Sequence, residues 1–216
     1  HGIGLDKNNI LATKYYIMSA STNYVVAQLN LALFYESKGT TNFLQEAIHW
    51  YKKAAQNTSI AAQNNLAKYY YFGNIVPQSY EKAIFWYKKS VAQNDPVAQF
   101  NLSMIYYTGE GTAKDYDKSY ELLKKSADSG NIFAQRKLAE FYRAGTIVDQ
   151  DYQKAMLYYQ SAAKSNDNLS MYYIGYFHYY GLGVKVDKKL GIKWMEKAVD
   201  NGYTYAKKFL ERHNYK

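Results

Sequence analysis

Residues 62–97 read AQNNLAKYYYFGNIVPQSYEKAIFWYKKSVAQNDPV. Ala62, Leu66, Tyr70 and Gly73 fall at helical spacing and share one quadrant of a helical wheel. Gly73 closes that pattern, where free access to positive φ lets a helix stop. A short turn, Asn74-Ile75-Val76-Pro77, leads to Ser79, a good N-cap, and a second helix is predicted to begin there. Its inward face runs Ala83, Trp86, Ser90: small residues on either side of one large ring, as two closely approaching helices require. The stretch is a helix–turn–helix unit.

The unit recurs in both directions. Trp50, Trp86, Leu122, Tyr158 and Trp194 stand 36 residues apart, and Gly73, Gly109, Gly145 and Gly181 keep the same interval. So do Ala62, Ala98, Ala134, Ser170 and Ala206, and Tyr70, Tyr106, Tyr142 and His178. Upstream the spacing shortens to 35 residues, Ala27 to Ala62 and Tyr15 to Trp50, which places a one-residue deletion in the Gly39–Asn42 loop. Several independent columns with one period mark a repeat protein. The N-cap column reads Ser79, Asp115, Asp151, Asp187, and a second turn near Thr58, Asn94, Gly130, Asn166 and Gly202 returns the chain to the next Ala.

The pattern Ala-x3-Leu-Ala-x2-Tyr-x2-Gly followed by Lys-Ala-x2-Trp-Tyr-Lys-Lys-Ser resembles the Sel1-like repeat, a relative of the tetratricopeptide repeat. The resemblance covers nearly the whole chain as one solenoid domain, 1–216: a half-repeat at 5–26, full repeats at 27–61, 62–97, 98–133, 134–169 and 170–205, and a half-repeat at 206–216. Departures are local. Lys38 replaces the first Gly, Leu122 a Trp, and His178 a Tyr. The resemblance implies an all-α, right-handed α-solenoid that binds another protein or peptide and carries no catalytic residues of its own. Bacterial members are often periplasmic or exported, and some act in host contact or as immunity or regulatory adaptors; the cytoplasm also stays open. The chain opens on His1-Gly2 rather than Met, as after a removed segment or with a tag remnant.

Composition sets the outer bounds. The 216 residues include 26 Tyr, two Pro and no Cys, which excludes disulfides, thiolate metal sites and a cysteine nucleophile. No apolar stretch is long enough for a membrane span. The histidines His1, His49, His178 and His213 show no metal-ligand spacing. Gly181-Leu182-Gly183 lacks the strand and Lys of a phosphate loop. No enzyme, metal or cofactor is expected, and the chain is expected to be a monomer. Lys+Arg of 27 against Asp+Glu of 18 gives +9, but Lys52, Lys53, Lys82, Lys88, Lys89 and their counterparts fall on second helices. There they read as a solvated outer coat with interleaved Glu, not a nucleic-acid track. The Trp column reads as core, with Trp86→Ala expected to cost ~3–5 kcal/mol if that ring is buried.

Function is sought on the remaining face of the first helices. Positions two before, two after and five after the repeat Leu lie roughly opposite the Ala/Leu/Tyr/Gly seam. By analogy with tetratricopeptide arrays they line a concave groove. They include Lys68 and Tyr71; Phe100, Met104 and Tyr107; Arg136, Glu140 and Arg143; and Tyr172, Tyr176 and Tyr179. A solvated face is rich in Lys and Glu, whereas aromatic, Met and Arg side chains are those of protein-binding hot spots. The expectation is a partner segment with apolar side chains on the two aromatic patches and a carboxylate at Arg136 or Arg143. The alternatives are a cell-wall glycan on the tyrosines, an anionic surface on the lysine-rich convex face, or packing of these side chains between repeats.

Overall fold

The computed structural model describes residue 11 and residues 14–215; the first part of the N-terminal half-repeat, 5–10, and Lys216 lie outside the described residues. Regular structure among the described residues is helical throughout. Residues 14–21 form α1. There follow α2 (Val25–Ser37), α3 (Thr41–Gln56), α4 (Ile60–Phe72), α5 (Tyr80–Val91), α6 (Pro96–Thr108), α7 (Tyr116–Asp128), α8 (Ile132–Ala144), α9 (Tyr152–Ala163), α10 (Asn168–Tyr180), α11 (Lys188–Asp200) and α12 (Thr204–Arg212). Even-numbered helices are the first helices of the repeats and odd-numbered ones the second. Two compact units result, His1–Lys114 and Asp115–Lys216, divided between the two helices of the 98–133 repeat.

Helix ends follow the side-chain chemistry. Ser79, Asp115, Asp151 and Asp187 each accept a hydrogen bond from the first turn of a second helix. Ser59, Asp95, Asn131 and Asp167 do the same for the first helices, a second cap column at the same period. Gly73, Gly109, Gly145 and Gly181 end first helices in the left-handed region, each N–H donating back into the last turn. Where Lys38 replaces the Gly, α2 ends on Lys38 in right-handed conformation and Gly39 takes the positive φ of 70°. The deletion shortens that turn, and α3 starts earlier than its counterparts.

Close approach of the two helices in a repeat rests on facing columns of small residues. Ala67 and Ala83, and Ala139 and Ala155, are completely buried. In the last repeat both positions are glycine, and the backbones nearly touch. A Cβ on Gly191 would stand 2.7 Å from the Gly175 carbonyl oxygen and 2.9 Å from the Tyr179 nitrogen. One on Gly175 would stand 2.6 Å from the Gly191 carbonyl oxygen.

The large buried side chain is not the Trp column but the one after it. Tyr51, Tyr87, Leu123, Tyr159 and Met195 are at most 3% exposed. Trp50 is buried, whereas Trp86, Leu122, Tyr158 and Trp194 are only half-buried, so the core expected at the Trp column shifts by one residue. On a helix that step turns the side chain by about 100°, into the seam instead of along its edge. Some lysines expected as solvated coat lie over rings: Lys53 and Lys197 stand 4.5 Å from the Trp50 and Trp194 rings, and Lys82 and Lys154 stand 5.3 Å from Tyr70 and Tyr142. Their ammonium groups sit over ring faces, attracted by the negative π surface.

A polar column locks one repeat to the next. The buried Gln28 and Gln63 donate from Nε2 to the carbonyls of Ala20 and Ala55, each at 3.1 Å, and Gln135 does the same to Ala127. These acceptors lie in the last turn of the preceding second helix, whose carbonyls lack intrahelical partners. Gln63 in turn accepts from Gln93, and Gln28 from Asn57.

Two outcomes are expected in equilibrium urea denaturation. Tyr87→Ala costs about 3–5 kcal/mol and more than Trp86→Ala, reversing the order that ring size suggests. Gly191→Ala destabilises by about 1–2 kcal/mol even after the better helix propensity of Ala is counted, because the new methyl meets backbone.

Candidate functional site

The predicted face is carried by α4 and α6 in the first unit and by α8 and α10 in the second. On α4, Lys68 is exposed and borders an open cavity of about 180 Å³, lined also by Glu36, Asn65, Tyr69, Phe72 and Asn74. Glu36 accepts from the hydroxyls of Tyr51 at 2.6 Å and Tyr69 at 2.7 Å. Burial first, and then the Glu36 carboxylate, hold both phenols protonated well above the ordinary range. Tyr71 is half-buried, and its hydroxyl donates to Glu110 in the next repeat. Burial and then that carboxylate raise its pKa to about 12. Asn64 donates to Asp95, the cap of α6, at 2.8 Å. Phe100, Met104 and Tyr107 follow on α6, all half-buried.

In the second unit Arg136 is already committed. Its guanidinium donates to Asp167 at 2.9 Å, and Asp167 also caps α10 by accepting from the Ser170 N–H. Arg136 thus does for α10 what Asn64 does for α6. Its expected role in binding a ligand carboxylate is corrected: it is an internal tie. Glu140 is bonded to Lys137 at 3.0 Å. Arg143 lies over the Tyr173 ring, 4.7 Å from its centroid.

The structure brings the three tyrosines of α10 together with Phe209 of α12. Tyr172, Tyr176 and Tyr179 have their centroids 6.3, 6.2 and 5.2 Å from that ring. Tyr172 and Tyr176 remain half-buried, with the Tyr172 hydroxyl raised to about 12 by burial and then by neighbouring phenols. Tyr179 is 8% exposed, so its assignment to a ligand-facing surface is corrected. The C-terminal half-repeat covers it, with Phe209 and His213 packed on its ring. Packing between repeats, the alternative held open above, accounts for Arg136 and Tyr179; Tyr172, Tyr176 and Arg143 keep exposed surface.

One column escaped the sequence reading. Five residues before the repeat Leu stand Val97, Phe133 and Tyr205, which are 45%, 57% and 64% exposed. The period alone could have found them; their place in the first turn, near the helix cap, drew attention elsewhere. Lys208 lies over Tyr205, and Arg136 over Phe133. Among the described residues no group of three His, Cys, Asp or Glu side chains is placed to hold a metal. Nor is any helix among them long and apolar enough to cross a membrane.

Residues 1–23, 25–59, 60–95, 96–131, 132–167 and 168–203 each match the Sel1 repeat. The chain belongs to the Sel1 repeat family. Such arrays are generally protein-interaction scaffolds, typically without catalysis. The fold is similar to that of c5321, a protective antigen present in uropathogenic Escherichia coli strains and displaying an SLR fold: TM-score 0.85, 30% identity, 90% of this chain covered. The matched part is 42% of the antigen, so this chain spans less than half of that protein's length. It is also similar to a Sel1 repeat protein from Oxalobacter formigenes, with TM-score 0.82 and 29% identity over 91% of this chain and 81% of that one. The immunity protein Pa5087 from Pseudomonas aeruginosa shares the fold at 20% identity, TM-score 0.51, over 74% of this chain and 59% of its own. Among curated proteins none matches the chain in sequence.

Replacing Arg136 with Leu leaves Asp167, whose side chain is 9% exposed, without its cation. A loss of about 1–3 kcal/mol is expected by thermal or urea unfolding, and restoring Arg while removing Asp167 should not recover it.

Proposed function

We propose that this Sel1 array is a non-catalytic adaptor that holds a segment of a partner protein against the free face of its first helices, and so regulates or inhibits that partner. One observation carries the reading. At repeat-spaced positions the first helices keep half-exposed or exposed rings, Phe100 in one unit and Phe133, Tyr172, Tyr176 and Tyr205 in the other, although the seam itself is fully packed. Rigid aromatic side chains of this kind present large contact area at low entropic cost. Within each unit one first helix is tied to the next, α4 to α6 through Asn64–Asp95 and α8 to α10 through Arg136–Asp167, which holds those two faces in register before any ligand arrives. A glycan suits this face less well. The Tyr176 ring meets Tyr172 at 41° and Phe209 at 68°, so these rings pack on one another instead of lying open as flat platforms.

A photo-crosslinking amino acid placed at Tyr176 should trap a discrete polypeptide adduct, while the same group at Lys164 on the second-helix side should not. Tyr172→Ala combined with Tyr176→Ala should then weaken binding of that polypeptide by more than about 1 kcal/mol in a protein still folded by circular dichroism. Equal trapping at both positions, or unchanged affinity, would sink the proposal.

A further inference from the structure

The second unit holds a cation that its own fold does not neutralise. Among the described residues Arg143 takes part in no ion pair, whereas Arg136, on the same helix, has Asp167 and Lys137 has Glu140. Arg143 is nevertheless half-buried. Its Nε is fully enclosed, and the side chain is bonded to the completely buried Tyr159 hydroxyl, a neutral group that does not balance the charge. Polar groups taken from water without partners are costly, and half-buried charges are ordinarily paired.

The guanidinium is also held in place. Tyr173 lies under it at 4.7 Å and is itself stacked on Tyr159, with centroids 5.0 Å apart and planes 16° apart. Stacking occupies the flat face of a guanidinium and leaves its in-plane N–H donors uncovered by the ring; with Nε enclosed, those of the two terminal nitrogens remain to form the fork that matches a carboxylate. Glu140, the acid nearest along the helix, pairs directly with Lys137 at 3.0 Å and acts on Arg143 only through space.

We infer that Arg143 is the anchor for an aspartate or glutamate side chain of the docked segment; this rests on the first-helix face being the docking surface. Ring surface lies to either side: Phe133 earlier on α8, and Tyr172 and Tyr176 on α10, both in contact with the Tyr173 ring that carries Arg143. A segment covering both sides continues past the anchor in each direction, so the carboxylate belongs to a side chain and not to a chain terminus. The expected ligand is an acidic residue flanked by apolar ones.

The chain has three arginines, Arg136, Arg143 and Arg212, so a ¹H–¹⁵N spectrum of the arginine Nε–H groups is simple to assign. Acetyl-glutamate methylamide, which has a side-chain carboxylate and no free terminus, should shift the Arg143 resonance saturably and leave Arg136 in place. Acetyl-alanine, with only a terminal carboxylate, should bind at least about threefold more weakly, and acetyl-glutamine methylamide should produce no shift. Arg143→Lys, which keeps the charge but loses the fork, should abolish saturable binding read on the Tyr173 ring protons. A stationary Arg143 peak, an equal response at exposed Arg212, or tighter binding of acetyl-alanine would each overturn the assignment. If Arg143 fails while Tyr172 and Tyr176 still govern partner binding, the docking surface stands without this anchor.

Discussion

Backbone against backbone, at the small-residue crossing within each repeat, is the contact on which the rest of the molecule depends. Where α10 meets α11 the separation is so short that no Cβ fits at Gly175 or Gly191. Alanine holds the same places at Ala67 and Ala83 and at Ala139 and Ala155. Small side chains draw the two axes together, and the next residue on the second helix, Tyr87, Tyr159 or Met195, then falls inside the seam and is enclosed. The ring that precedes it is turned to the edge, and at Trp194 it takes Lys197 over its face. One spacing thus decides which ring is core and which is border.

Polar groups are arranged to carry that packing from repeat to repeat. Gln28, Gln63 and Gln135 of the first helices each close a carbonyl at the end of the preceding second helix. Asn64 and Arg136 reach forward to the aspartate that caps the following first helix. Both devices turn unsatisfied helix ends into joints, which is why an array without cysteine needs no covalent staple. They also remove residues from any binding role. A side chain that looks free on a helical wheel is free only if the next repeat has no use for it.

The same logic separates the two arginines of α8. Arg136 meets an acid that the fold must place there, because α10 needs a cap. Arg143 meets aromatic rings and makes no ion pair, with Glu140 acting on it only through space. The aromatic end of the second unit shows the parallel division among tyrosines: Tyr179 disappears beneath α12, while Tyr172 and Tyr176 share Phe209 and keep an outer edge. On the proposed docking reading, what is left for a partner is a smaller surface than composition implies, a set of held rings around Arg143.

Periodicity by itself determined the repeat, the pairing of helices, the caps at Ser79, Asp115, Asp151 and Asp187 and the small-residue faces, because these depend on local backbone chemistry that recurs every 36 residues. It also confined the candidate surface to one face of the first helices. The Gln column and the exposed column through Val97, Phe133 and Tyr205 were equally periodic and legible in principle, though nothing in their chemistry announced a role. Only the tertiary structure decided that Tyr87 and not Trp86 fills the seam, that Arg136 is spent on Asp167, and that Tyr179 is covered. Those outcomes turn on which atoms a neighbouring repeat brings within a few ångströms, and a one-dimensional pattern fixes the direction of a side chain without fixing what stands opposite it.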